Sequence, residues 1–301
     1  SATDAAPSVP ALDGFGGPAD NLLPQLTGVA NRSNPYGRWI QNLGYNRFYP
    51  PKSTEPYTYL SGNQEVLIAA FDVGYGPQQL SDYKIGDNPI ANFPTVSVEA
   101  REGVAGDLPF SSITTYSNEK RFSYELTPPA QIFTETTAGE CETVVYDFYF
   151  PNGLYKTVRE TAPNGYVYER REAATVNILI TGLNYVDITE LSTVPFRRSF
   201  SFTASKAKQT VIAVRNSAID PTGLTVDTVV WTKLQGLLAS NPWSTVRDSK
   251  GEIVNPCRFV LTATATAQLQ GQMEQVSVMA KSKVATWTGT EFTAPAISNN
   301  P

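Results

Sequence analysis

Histidine is absent from all 301 residues. That gap removes Ser-His-Asp and Cys-His catalysis, histidine metal sites and the usual zinc hydrolases. Cysteine is scarce: Cys141 and Cys257 stand far apart, with no CxxC partner. Such spacing fits neither a disulfide framework nor a zinc site, and both thiols read as small buried hydrophobes. Charged residues make up only 17% of the chain, so Ser, Thr, Asn and Gln must supply much of the polar surface. The net charge of -5 comes without a dense basic stripe, which argues against a sequence-reading nucleic-acid domain. No apolar run is long enough to span a bilayer as a helix. The hydrolase elbow GxSxG and the phosphate loop GxxxxGK are both missing, and no cofactor is expected. The opening stretch SATDAAPSVPALDGFGGPADNLL lacks the basic start of a signal peptide. Ser1 and Pro301 read as cuts through a longer polypeptide, or Ser1 as processing at the front.

What the chain has in quantity is turn-formers and rings: 22 Pro, 21 Gly, 15 Tyr and 14 Phe. With many β-branched residues, these predict a strand-rich fold with many loops. Residues 64–73 (QEVLIAAFDV) form a short apolar run flanked by turn signals, which favours a buried strand over a helix. Residues 93–100 alternate, with Val96 and Val98 on one face, as do Phe122, Tyr124 and Leu126. Residues 142–150 (ETVVYDFYF) carry Tyr146, Phe148 and Phe150 into a Pro151-Asn152-Gly153 turn. Further strands are expected over 174–181, 196–202, 209–215 and 258–266, and a new element over 274–280. Between them, Val229, Val230, Leu234, Leu237 and Leu238 fall at near-helical spacing, which predicts a short helix within 226–240, broken at Asn241-Pro242. The expected class is mainly β, with several β-barrel or β-sandwich modules and few short helices.

Candidate chemistry is thin. A carboxylate pair could run glycoside hydrolysis, and Glu99 with Glu102, or Asp72 with Asp82, are the clusters to consider. Solvated surface charge is the plainer reading of both. Asp82, Asp87 and Asn88 lack calcium-loop spacing and suit turn capping. Gly14-Phe15-Gly16-Gly17 has neither strand before it nor helix after it, and reads as linker. Tyr36, Trp39, Tyr45, Phe48 and Tyr49 crowd a Pro-rich stretch. They could form the sugar-binding platform of a carbohydrate-binding adhesin module, which is the alternative function to weigh, though packing in a core or against a partner is the commoner use of such rings. Gly74, Gly76, Pro77, Gly86 and Pro89 read as backbone-shaping residues, and Phe148, Phe150, Trp231 and Trp287 as core or interface anchors. No catalytic, cofactor or metal residue is assigned.

One resemblance runs along the chain. The string GYGPQQLSDYKIGDNPI, followed by a strand from Phe93 to Glu99, resembles the N-terminal part of tail-tip hub proteins of the host-specificity J type in lambda-like phages. The landmarks FPNGL (150–154), VIAVR (211–215), Trp231 with Leu234, ATAQLQG (265–271) and Trp287-Thr288-Gly289 are similar to that family's and stand in its order. Asn300 is inserted in the closing Asn-Pro landmark. The resemblance covers roughly residues 35–301. It implies a non-enzymatic homotrimeric hub at the distal end of a phage tail, built from β-barrel and β-sandwich domains. Distal-tail, tape-measure and fibre proteins would be its partners. The host receptor would be engaged indirectly, and DNA would pass without specific binding. Residues 1–34 lack a sustained hydrophobic period and are expected to be an extended arm or linker, with 35–164 a first β hub domain, 165–275 a second β-sandwich domain, and 276–301 the start of a further hub segment.

Overall fold

The computed structural model describes residues 23–33, 42–104, 107–113, 115–128, 131–218, 220–238, 246–247, 253–254, 256–294 and 296–297. The structure is 62% strand, with no helix of seven residues or longer among the described residues, which makes the fold mainly β. Several antiparallel sheets form, and among the described residues none closes into a barrel.

The first module opens with β1 (Leu26–Val29), β2 (Tyr45–Phe48), β3 (Tyr57–Ser61) and β4 (Gln64–Tyr75). It continues with β5 (Gln78–Ile85), β6 (Asn88–Pro89), a 3-10 turn at Ile90–Asn92, and β7 (Val96–Glu102). The chain then builds a second module: β8 (Tyr116–Glu125), β9 (Ile132–Thr136), β10 (Cys141–Phe150), β11 (Tyr155–Thr161) and β12 (Val167–Glu172). β13 (Ala174–Ile180), β14 (Asn184–Glu190), β15 (Phe196–Ala207), β16 (Thr210–Arg215), β17 (Thr225–Val226) and β18 (Val230–Leu238) complete it. A small ribbon, β19 (Val246–Arg247) with β20 (Ile253–Val254), precedes the return to the first module. That return consists of β21 (Pro256–Thr264), β22 (Gly271–Met273), β23 (Val276–Val284) and β24 (Ala296–Ile297).

In the first module, the sheet β3-β4-β21-β7 faces the sheet β2-β23-β5-β6. Leu67, Ala69, Phe71, Phe259 and Leu261 from one sheet share a core with Ile85, Val276, Val278 and Ala280 from the other. The apolar run at 64–73 is the central strand β4, buried on both faces along most of its length. Its inward residues join that core, while Ile68 and Ala70 point outward beneath Phe110 and Ile113. Burial on two faces is why the run is continuous rather than alternating. Part of the expected N-terminal arm is strand instead: β1 pairs in parallel with β22, and Leu26 and Val29 are buried in the first core. Residues 1–22 and Asn34 of that arm, including the Gly14–Gly17 segment, lie outside the described residues, as do Tyr36, Trp39 and Asn241-Pro242.

In the second module, the sheet β15-β10-β18-β8 packs on the sheet β14-β13-β16-β9. Val144, Tyr146, Phe148, Trp231 and Leu234 meet Val176, Ile178, Ile180, Val211 and Ala213. Residues 226–240 contain no helix among those described; the expected helix is corrected to β18, an inner strand between β10 and β8. Two features produced the helical spacing. The strand is buried on both faces, and a bulge between Trp231 and Lys233 shifts its phase. Trp231 and Leu234, three residues apart, therefore reach the same core.

Candidate functional site

The two modules meet where the outer face of the sheet β15-β10-β18-β8 abuts the edge strand β3. Apolar strands carry isolated charges there. Asp147 interrupts VVYDFYF on β10, and Lys233 sits opposite it on β18. Both are almost fully buried, at 4% and 3% exposure. Two such charges survive burial only as a well-bonded pair. Lys233 Nζ lies 2.8 Å from Asp147 Oδ2, and donates to the Thr58 carbonyl oxygen and the Thr58 hydroxyl, each at 3.1 Å. All three ammonium hydrogens are thus committed to internal acceptors. The other oxygen of Asp147 accepts from the Ser199 hydroxyl.

The network continues on the far side of Thr58. Glu65, at the start of β4, accepts from the Leu26 amide at 3.0 Å, the Thr58 hydroxyl at 3.0 Å and Arg121 Nη2 at 2.8 Å. Arg121 also reaches Glu119 Oε1 at 3.1 Å and the Leu26 carbonyl at 3.1 Å. Burial pushes the Glu65 carboxyl up, but the cations of Arg121, Lys233 and Arg197 outweigh it and hold the group below the usual carboxylate range. Arg197 spends its guanidinium on the backbone oxygens of Leu23, Pro24 and Asn63. Burial pulls its affinity for the proton down. Lys233 to Thr58, Arg121 to Glu65 and Arg197 to Asn63 tie one module to the other, and the bonds to Leu23, Pro24 and Leu26 tie in the segment that leads into and opens β1.

Beside the network lies an open cleft of about 410 Å³. Its floor is the same sheet face, with Val145 and Asp147 on β10, Ser199 and Ser201 on β15, and Gln235 on β18. Its wall is Tyr57, Tyr59 and Leu60 of β3. A second depression of about 500 Å³ lies at the opposite end of β10 around Tyr155 and Asp227, and the Asp227 carboxylate is held by Arg215 at 2.5 Å.

The residues singled out from the sequence do not converge on either cleft. Gly74, Gly76 and Pro77 form the corner from β4 into β5, where the chain passes from one sheet to the other. Gly76 takes a φ of 93°, which favours glycine. Gly86 turns β5 into β6, where Pro89 is exposed at the sheet edge. Phe148, Phe150 and Trp231 are fully buried in the second core. Trp287 is 55% exposed and meets Phe292 with ring centroids 4.9 Å apart. Both cysteines are buried free thiols, as expected.

The carboxylate candidates are all held by neighbours. Glu99 accepts from Arg101, Ser111 and Ser112. Burial raises its carboxyl, but these hydrogen bonds prevail and bring it to about 2. Glu102 pairs with Lys283, Asp72 with Arg258, and Asp82 with Arg47. No group of three acidic or thiol side chains suits a metal ion among the described residues. Of the ring cluster, Phe48 packs against the first core, while Tyr45 and Tyr49 are exposed.

Sequence reasoning passed over Thr58, Glu65, Arg121, Asp147 and Lys233. For Glu65, Asp147 and Lys233 a signal was present, a charge inside a mainly apolar strand; Thr58 and Arg121, the latter in the charged strand β8, gave none. No protein-family profile matches the chain, and a search of curated proteins returns no significant match.

Proposed function

We propose that this chain is a structural component of a bacteriophage or prophage tail tip. In this reading it belongs to the central hub that closes the tail tube and links it to receptor-binding parts. The observation that carries the reading is the ordered landmark series. GYGP, IGDNP and FPNGL are corners and strand ends, while Trp231 and Leu234 are core residues. Shared residues at corners and in the core are what a common architecture requires, rather than a common reaction.

The junction supports the same reading. A hub bears load between partners, so its modules must not drift. Here a buried network of charges and backbone carbonyls fixes one sandwich against the other, with the lysine and arginine donors turned inward. The proposal includes a homotrimer at the distal end of the tail, contacting distal-tail, tape-measure and fibre proteins. It includes no catalytic step and no specific grip on DNA.

Immunogold labelling of intact particles with antibody against this chain tests it. Gold at the distal end of the tail is the expected result. Gold on fibres alone, or on bacterial envelopes and not on particles, discards the hub reading.

A further inference from the structure

The cleft between the modules has a composition that the proposed scaffold role does not require. Along β15, Ser199, Ser201, Thr203 and Ser205 are all exposed and fall at alternate positions. Period-two spacing puts their hydroxyls in one row on the outer face. Ser201 lies opposite Val145, and Thr203 opposite Thr143, on the neighbouring strand β10. At one end this hydroxyl-rich face is roofed by the first module. At the boundary, Tyr57 and Tyr59 rise as a wall, and Tyr59 is 44% exposed. Ser112 and Thr115 add two more hydroxyl side chains at the rim.

Charge narrows the class of ligand. Lys233 is saturated by Asp147 and Thr58, and Arg197 by three backbone oxygens. Neither cation is left to neutralise a phosphate, sulfate or carboxylate in the cleft. Asp147 is matched by Lys233 and Ser199, so it does not select a cation either. Gln235 spends its amide nitrogen on the Thr58 carbonyl and the Ser117 hydroxyl, but its side-chain oxygen accepts no hydrogen bond among the described residues. A neutral polyol is the ligand that hydroxyl donors, one amide acceptor and a tyrosine face recognise together. A volume of about 410 Å³ lies within the range of small-molecule sites.

We propose that this inter-module cleft is a binding site for a neutral oligosaccharide. A sugar ring lies against Tyr59, and its hydroxyls bond to the Ser201 hydroxyl and donate to the Ser199 oxygen, whose proton is held by Asp147, and to the Gln235 side-chain oxygen. The inference does not depend on the tail-tip reading, because it rests on the cleft alone.

The test uses the full chain on an array of neutral gluco-, galacto- and manno-oligosaccharides printed beside sialylated and sulfated ones. Titration calorimetry on the best neutral binder follows. Two variants read the site. Tyr59→Ala removes the ring face, and Ser201→Val removes one hydroxyl with a residue that suits a strand. The expected result is binding to a neutral glycan, weakened about tenfold by Tyr59→Ala. Ser201→Val should weaken it about threefold. Melting temperatures matching the parent chain show that both variants are folded, and if one is not, the other carries the test. Three outcomes overturn the proposal: no neutral glycan bound, only acidic glycans bound, or affinity unchanged in the folded variants.

Discussion

The two modules solve the same packing problem with different material. The first core is largely aliphatic and small, with Phe71 stacked on Phe259 at 4.9 Å and Tyr83 edge-on at 5.2 Å. The second sets a cluster of rings on one sheet against aliphatic residues on the other. Trp231 lies 4.7 Å from Phe122, 5.5 Å from Tyr146 and 6.1 Å from Tyr124, and Phe150 stacks on Phe196 at 4.4 Å. Connectivity differs as sharply. All strands of the second sandwich lie between Tyr116 and Leu238. The first closes only when β21 and β23 come back, with Val66 opposite Thr264 and Ile85 opposite Val276. One core is local in sequence and the other is assembled from its two ends. Locality lowers the entropy cost of closing a core, and large rings supply much burial from few residues.

The sharpest way to break this comparison is to cut the chain. A fragment of residues 115–238 is expected to fold alone, and one of residues 23–104 is not, because it lacks the strands that complete both of its sheets. Amide dispersion in two-dimensional NMR reads each fragment. A dispersed spectrum from 23–104 would show that the first core needs no return strand.

A smaller effect is expected at the junction. Lys233→Met leaves Asp147 buried and unpaired, which should cost about 3–5 kcal/mol by chemical denaturation. Adding Asp147→Leu removes the orphaned charge, and the double variant should recover most of the loss. Additive losses in the double variant would mean that the pair is not coupled.

The smallest effect sharpens the comparison through pH. Glu65 is held below the ordinary carboxylate range, so its contribution is complete above about pH 4.3 and fades as pH falls through its lower folded value. Glu65→Gln should melt below the parent chain at neutral pH and lose less on acidification towards pH 3. Parallel losses in the two proteins would assign the acid sensitivity elsewhere. Glu99, which ties Ser111 and Ser112 to β7 and is brought to about 2 by those hydrogen bonds, is the next group to replace.

Much of the fold was legible because most strands have one plain environment. β13 alternates buried and partly exposed residues from Ala174 to Ile180, and its sequence reads as a strand at once. The element that misled was β18, whose second face is covered by the other module. Period two disappears when both faces are dry, and the bulge at Trp231 supplied a false period near four. The junction was hidden for a related reason. Its members come from β3, β4, β8, β10, β15 and β18, and only the packing of two sheets brings them together. Lone charges within 64–73 and 142–150 hinted at buried partners without saying which.

The place where the chain departs from the first module lies beside the place where it returns. β7 ends at Glu102, β21 begins at Pro256, and Glu102 stands directly across the ladder from Cys257. A hairpin loop of about two to five residues spans such a gap. Everything between is therefore one excursion from a single antiparallel connection, bound back to the frame by Phe110 and Ile113 over Ile68 and Ala70 and by the Arg121–Glu65 and Lys233–Thr58 contacts. Replacing the second sandwich by one splice would therefore also require a new partner for the buried Glu65 and a new cover for Ile68 and Ala70.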